Sequence, residues 1–245
     1  MSAHRSSLAR ARERVEMLAA AEREYLASSP YRLAHEHDMR GGRYVVHVHV
    51  TRPVPDEIVR LAGVVARGLR TALDELATSI AGTMVTFPIY ESLAMFAQRA
   101  RKSIAAMPDH AQATLEALQP YHAIGGFRNG TLWTLEQLAA SAPPRLAAGS
   151  VRHGATMGVN TQRNVSLLGE PAIVTGAFDD GNVVATVPTK VAGPDPKLDM
   201  FLRVEFALAF AKDGPARGRE VGAFLGQLCD HVEHAVFGAL APTGD

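Results

Sequence analysis

Residues Asp56 to Ala81 read DEIVRLAGVVARGLRTALDELATSIA, and the spacing of their apolar members governs how the chain folds. Ile58, Leu61, Ala62, Val65, Leu69, Ala72, Leu73, Leu76 and Ile80 recur at steps of three and four. At about 100° per residue these positions make one stripe, so the segment is predicted to be a long amphipathic helix buried along one side. Gly63 and Gly68 each cost roughly 1 kcal/mol there relative to alanine, which points to close approach of another helix or backbone, or to a kink. Phe87-Pro88-Ile89 follows after a short turn.

On the N-terminal side, Leu8 to Ala27 forms a first helix with Leu8, Ala11, Val15, Leu18, Ala19, Ala21 and Tyr25 along one side. Ser28-Ser29-Pro30 ends it, because proline lacks an N–H and restricts the residue before it. Tyr31–Asp38 and Arg43–Thr51 read as two strands of a hairpin around Arg40-Gly41-Gly42. Tyr44, Val46, Val48 and Val50 then face one way, and Val45, His47 and His49 the other.

On the C-terminal side, Glu91–Ala105 is predicted to bury Leu93, Phe96, Ala97, Ala100 and Ile104, and His110–Leu118 to bury Ala111, Leu115 and Leu118. A glycine-rich loop, Ile124–Gly130, precedes a short helix, Thr131–Ala140, that carries the one tryptophan, Trp133. After Pro143-Pro144 the period changes to two. Val165–Leu168, Ala172–Phe178, Val183–Val187 and Leu202–Phe210 read as strands, with Asp179–Asn182 as a hairpin turn. Leu202, Val204, Phe206, Leu208 and Phe210 are placed on one strand face. A last amphipathic helix spans Arg217–Leu240. The class is α+β: a helical bundle region packed with an antiparallel sheet made of the first hairpin and the C-terminal strands, closed by a C-terminal helix. One folding unit over residues 1–245 is expected, with 1–145 mainly helical and 146–245 rich in strand.

Hydrophobic residues at 47% and charged residues at 20% describe an ordinary globular chain able to build a core. Twenty-five basic residues balance 25 acidic ones, which argues against a whole-protein field for nucleic acid or membrane. A single cysteine, Cys229, rules out an internal disulfide and fits a reducing compartment. With no apolar leader and no run near the ~18 residues of a membrane span, a cytoplasmic location is expected.

Four short motifs carry a resemblance: Leu69-Arg70-Thr71-Ala72-Leu73-Asp74-Glu75-Leu76, Phe87-Pro88-Ile89, Leu118-Gln119-Pro120-Tyr121 and Leu132-Trp133-Thr134-Leu135-Glu136-Gln137-Leu138. Their order resembles a widespread family of uncharacterised bacterial proteins over nearly the whole chain. In that family a histidine follows the arginine after four residues, and a segment Asp-Lys-His-Arg comes later. The arginine–histidine spacing is similar to the signature of the HEPN ribonuclease superfamily. There an imidazole helps activate a ribose hydroxyl and a guanidinium steadies phosphate charge, chemistry that suits both groups. This chain departs at the deciding position. Glu75 stands where the histidine belongs, and Ala142-Pro143-Pro144-Arg145 replaces the later segment, keeping only Arg145. An ordinary glutamate is ionised at neutral pH and a poor base. Arg70 and Glu75 also lie about 140° apart around one helix, whereas Arg70 and Asp74 sit one turn apart as an ion pair. Arg70, Glu75 and Arg145 are the catalytic candidates the resemblance implies.

Other residues invite chemistry against plainer readings. His47 and His49 share a strand face, and a turn centred on Arg40-Gly41 sets Glu36 diagonally across from His47, a two-histidine, one-carboxylate set of the kind that holds metals. The plainer reading is a solvated polar face. His4, Arg5, Arg10, Arg12 and Arg14 form a modest basic patch that could meet phosphates or simply face water. Gly125–Gly130 with Arg128 resembles an anion cradle but lacks the lysine and hydroxyl of a phosphate loop. Cys229 reads as a core or interface residue. No cofactor is implied.

The expectation is therefore a non-catalytic interaction or structural module, dimeric through the Asp56–Ala81 helix. Its rival is an RNA-binding protein of HEPN type, or a weak metal-independent ribonuclease.

Overall fold

The computed structural model describes residues 2–140, 144–151 and 155–241. The chain is α+β and divides into two compact units that interleave along the sequence rather than splitting at residue 145. The helical unit takes the chain up to Ala20, Asp56–Pro144, and Gly222 onward. The strand unit takes Ala21–Pro55 and Arg145–Val221.

In chain order the elements are α1 (Ala3–Ala27), β1 (Tyr31–Asp38), β2 (Arg43–Val50), α2 (Asp56–Ala81), α3 (93–103), α4 (Asp109–Ala117) and α5 (Thr131–Ala140). Then come β3 (Leu146–Val151), β4 (Thr156–Arg163), β5 (Val165–Leu167), β6 (Ala172–Ile173), β7 (Ala177–Phe178), β8 (Val183–Val191), β9 (Lys197–Arg203), β10 (Phe206–Phe210) and α6 (221–240).

Within the helical unit, α2 has the length and face that its period demands. Ile58, Leu61, Val65, Leu69, Leu73 and Leu76 are all buried, and the helix runs against α5 and the 231–237 stretch of α6. At Gly68 an added Cβ would lie 3.6 Å from the Ala11 Cβ of α1, so this glycine marks a close helix approach. Two helices widen locally to π geometry, α3 over Phe96–Ala100 and α6 over His231–Phe237. Leu93 departs from expectation: it is 51% exposed, because it begins the first turn of α3, ahead of the residues that meet the core. Phe96, Ala100 and Ile104 are buried as their spacing predicts.

Within the strand unit the first hairpin does join the later strands in one antiparallel sheet, of order β1-β2-β8-β5 with β6 also on β8. Tyr44, Val46 and Val48 enter its core with Val184, Val187 and Leu202. Four features differ from the sequence reading. Leu202–Phe210 is not one strand; it breaks at Val204-Glu205, so β9 pairs with β4 while β10 pairs with β3. Ala207, Leu208, Ala209 and Phe210 are all buried, so alternation there does not separate a wet face from a dry one. Ala172–Phe178 also splits, around Gly176 at φ +118°, with β6 on β8 and β7 on β3. Finally, β3 and β4 have no sequence signal: their Ala, Gly, Thr, Asn and Gln residues carry neither alternation nor β-branched runs.

The Asp179–Asn182 turn is present, with the Asn182 N–H bonded to the Asp179 carbonyl at 3.1 Å and Gly181 at φ +77°. It docks on β2, where the Gly181 N–H meets the Val48 carbonyl at 2.8 Å and the Val48 N–H meets that of Asn182 at 2.9 Å. Among the described residues no helix is long and apolar enough to cross a membrane.

Candidate functional site

The α2 helix brings Arg70 and Asp74 to one side, one turn apart, and the irregular 84–90 segment passes over them. Asp74 Oδ1 accepts the Phe87 N–H at 2.8 Å. Arg70 Nη2 donates to the Phe87 carbonyl at 2.9 Å and stands 3.3 Å from Asp74 Oδ1. The two side chains thus satisfy both polar backbone groups of a residue that has no strand partner to do so. Phe87 itself is fully buried. From α5, Glu136 Oε2 reaches within 3.0 Å of Arg70 Nε, as an ion pair that is not aligned as a hydrogen bond.

Gln119 repeats the device beside it. The side chain is 2% exposed; Oε1 accepts the Tyr90 N–H and Nε2 donates to the Pro88 and Leu115 carbonyls, all at 2.9 Å. Trp133 Nε1 donates to Glu91 at 2.9 Å. At Gly130 an added Cβ would come within 2.9 Å of the Pro120 Cβ, so only glycine fits where α5 begins against the Pro120 turn. The segments 69–76, 87–89, 118–121 and 132–138 therefore meet around residues 84–90. Asp74, Gln119 and Glu136 belong to this cluster, and the sequence reading gave the last two no role. Glu136 lies among apolar residues of a predicted helix and Gln119 just past the end of another, and no pattern marks either.

A cleft of about 460 Å³ opens at the cluster, lined by Arg70, Met84, Phe87, Tyr90, Arg99 and Glu136 among others. Arg70 Nη1 is buried without a hydrogen-bond partner.

The other candidates fall elsewhere. Glu75 lies about 140° from Arg70 around α2; its Oε2 is buried without a hydrogen-bond partner, and its charge acts on His4 of α1. Burial, aided by Arg5, lowers the His4 imidazole below its ordinary value, and Glu75 opposes the shift. Arg145 belongs to the strand unit, where it is exposed and pairs with Asp213. Residues 142 and 143 of its motif lie outside the described residues.

The hairpin register is as expected, with Glu36 opposite Val45 and Ala34 opposite His47. Glu36 Oε2 lies 3.8 Å from His47 Nε2, but His47 Nδ1 meets the Gly181 carbonyl at 3.1 Å and His49 Nδ1 turns to Asp180 at 3.3 Å. The two imidazoles so find separate partners, and among the described residues no group of three histidine, cysteine, aspartate or glutamate side chains is placed to hold a metal ion. Of the basic patch, Arg12 is paired with Asp230 at 2.8 Å and Glu233 at 2.5 Å, and Arg10 bonds Ser7. In the glycine-rich loop Gly125 and Gly126 take positive φ, and the Arg128 guanidinium lies over the Phe127 ring. Cys229 is buried, and burial pushes its thiol up to about 11.

No protein-family model matches this sequence, and neither a curated protein nor a solved structure was found similar to it.

Proposed function

We propose that this chain is a non-catalytic interaction or structural module. The observation that carries the reading is the occupation of Arg70: two of its three nitrogens are engaged with Phe87, Asp74 and Glu136, all groups of the chain itself. An arginine tied this way fixes the 84–90 segment against α2 and α5, which is a structural task. Glu75, the residue at the position of a would-be base, lies about 140° from Arg70 around α2, and its charge acts on His4. Self-association through the Asp56–Ala81 helix would use its exposed positions, Arg60, Arg67 and Thr71 among them, beside the stripe that lies against α5 and α6. The test is to replace Arg70 by alanine and follow unfolding in urea together with multi-angle light scattering. Loss of stability with an unchanged mass supports a structural arginine, and an unchanged unfolding midpoint overturns it. Light scattering of the parent chain as a strict monomer at high concentration would remove self-association from the reading.

A second reading is favoured by one specific feature, the cleft that Arg70 and Arg99 both line. It is an RNA-binding protein of HEPN type, with or without weak metal-independent cleavage. Two guanidinium groups at a cleft suit a phosphate backbone. Retention of single-stranded RNA on a filter, falling with salt and lost in Arg99→Ala, supports this reading; no retention at low salt removes it.

A further inference from the structure

A second concavity in the helical unit has a different chemistry. Leu76, Ile80, Phe237 and Leu240 supply its apolar wall, and Leu76, Phe237 and Leu240 are themselves buried. His4 and Arg5 at the start of α1, and His110 at the start of α4, supply its polar groups together with Ser79. The groove holds about 360 Å³, within the range of small-ligand sites. Every ionisable group that lines it is basic in type, and no acid is among the described lining residues.

Those features constrain the occupant. An apolar wall of this extent favours a hydrocarbon portion, which gains about 0.8 kcal/mol per methylene removed from water. Arg5 is exposed and has no ion-pair partner among the described residues, unlike Arg12 two turns further along the same face of α1, which is held by Asp230 and Glu233. A guanidinium fork of this kind matches a carboxylate or phosphate head. His4 stacks edge-on against Phe237, with ring centroids 5.1 Å apart, so one imidazole spans the apolar wall and the polar rim. We infer that this groove binds a single-chain amphiphile with an anionic head, its chain against Leu76, Ile80, Phe237 and Leu240 and its head at Arg5 and His110. The site is separate from the Arg70 cluster and does not depend on the function proposed for it.

Calorimetric titration of the full chain with decanoate, decyl phosphate and decanol tests the assignment. Saturable one-to-one binding of an anionic probe is expected, with decanol at least about tenfold weaker. The stronger of the two anions identifies the head group as carboxylate or phosphate. Arg5→Glu and His110→Glu change exposed side chains, so both variants should keep the parent unfolding midpoint while weakening the anion about tenfold or more. Ile80→Glu should abolish binding of all three probes. Failure of both anions to saturate, or equal binding of decanol, overturns the proposal. So does binding that survives Arg5→Glu and Ile80→Glu unchanged.

Discussion

Arg70 and Asp74, one turn apart on α2, close on the same backbone: Asp74 takes the N–H of Phe87 at 2.8 Å while Arg70 gives to its carbonyl at 2.9 Å. The pair is more than a helix-surface ion pair, because its partner groups belong to a segment 13 and 17 residues onward. A surface pair of this spacing contributes a few tenths of a kcal/mol. Charge-assisted bonds to a partly buried backbone contribute more, and leaving such groups unpaired costs more still.

Asp74→Ala is therefore expected to destabilise the chain by about 1–3 kcal/mol, and Arg70→Ala by a similar amount, since Glu136 loses its cation as well. Urea unfolding reads both. The double variant should cost less than the two single effects added together, because both act on Phe87. Strict additivity would show that the residues work apart.

Gln119→Leu keeps the side-chain volume roughly and removes three hydrogen bonds. The Tyr90 N–H and the Pro88 carbonyl lose this partner, at an expected cost of about 3 kcal/mol. Gln119→Glu, which keeps the acceptor for Tyr90 but opposes two carbonyls, should also destabilise. A leucine variant within about 0.5 kcal/mol of the parent would contradict the tie seen here.

Stability should fall as the solution is acidified below neutrality. Burial lowers the His231 imidazole, and burial with Arg5 lowers that of His4 against the pull of Glu75. The unfolded chain regains the ordinary value near 6.5 and takes up protons first as pH falls. The unfolded state then binds more protons than the folded one, so stability is full above about pH 6.5 and declines through the window beneath it. Unfolding midpoints taken across that window should show the decline, and His231→Gln should flatten it. A His231→Gln variant with the parent's pH dependence would assign the effect to other groups.

Cys229 should resist thiol reagents in the folded state. It is buried, and its thiol sits near 11, so little thiolate exists at pH 8 and none is accessible. An aromatic disulfide reagent is expected to label it at the rate of opening, and quickly in urea. Prompt stoichiometric labelling of the native chain would contradict the placement.

Legibility followed periodicity. The Asp56–Ala81 helix, the Tyr31–Val50 hairpin with its register, and the buried Phe96, Ala100 and Ile104 all carry a repeat that one segment displays alone. The diagonal of Glu36 and His47 came from the same arithmetic. What escaped was polar or small. Thr156–Arg163 pairs with Lys197–Arg203 through backbone bonds that no side-chain pattern announces. Leu202–Phe210 alternates perfectly, yet its two halves join different sheets at Val204-Glu205. Gln119 and Glu136 gave no hint of role, because a buried polar group is defined by the partner that meets it.

The amino-acid order by itself determined the α+β class, the length of α2 and its buried side, and the hairpin register, since each follows from rotation and pleat along a single segment. Tertiary structure alone decided where Arg70 directs its donors, that His49 turns to Asp180 rather than toward His47, and that the Glu75 charge acts on His4 of α1. Such choices depend on groups far off in the chain, and local period holds no information about which distant carbonyl, acid or ring will arrive beside a given side chain.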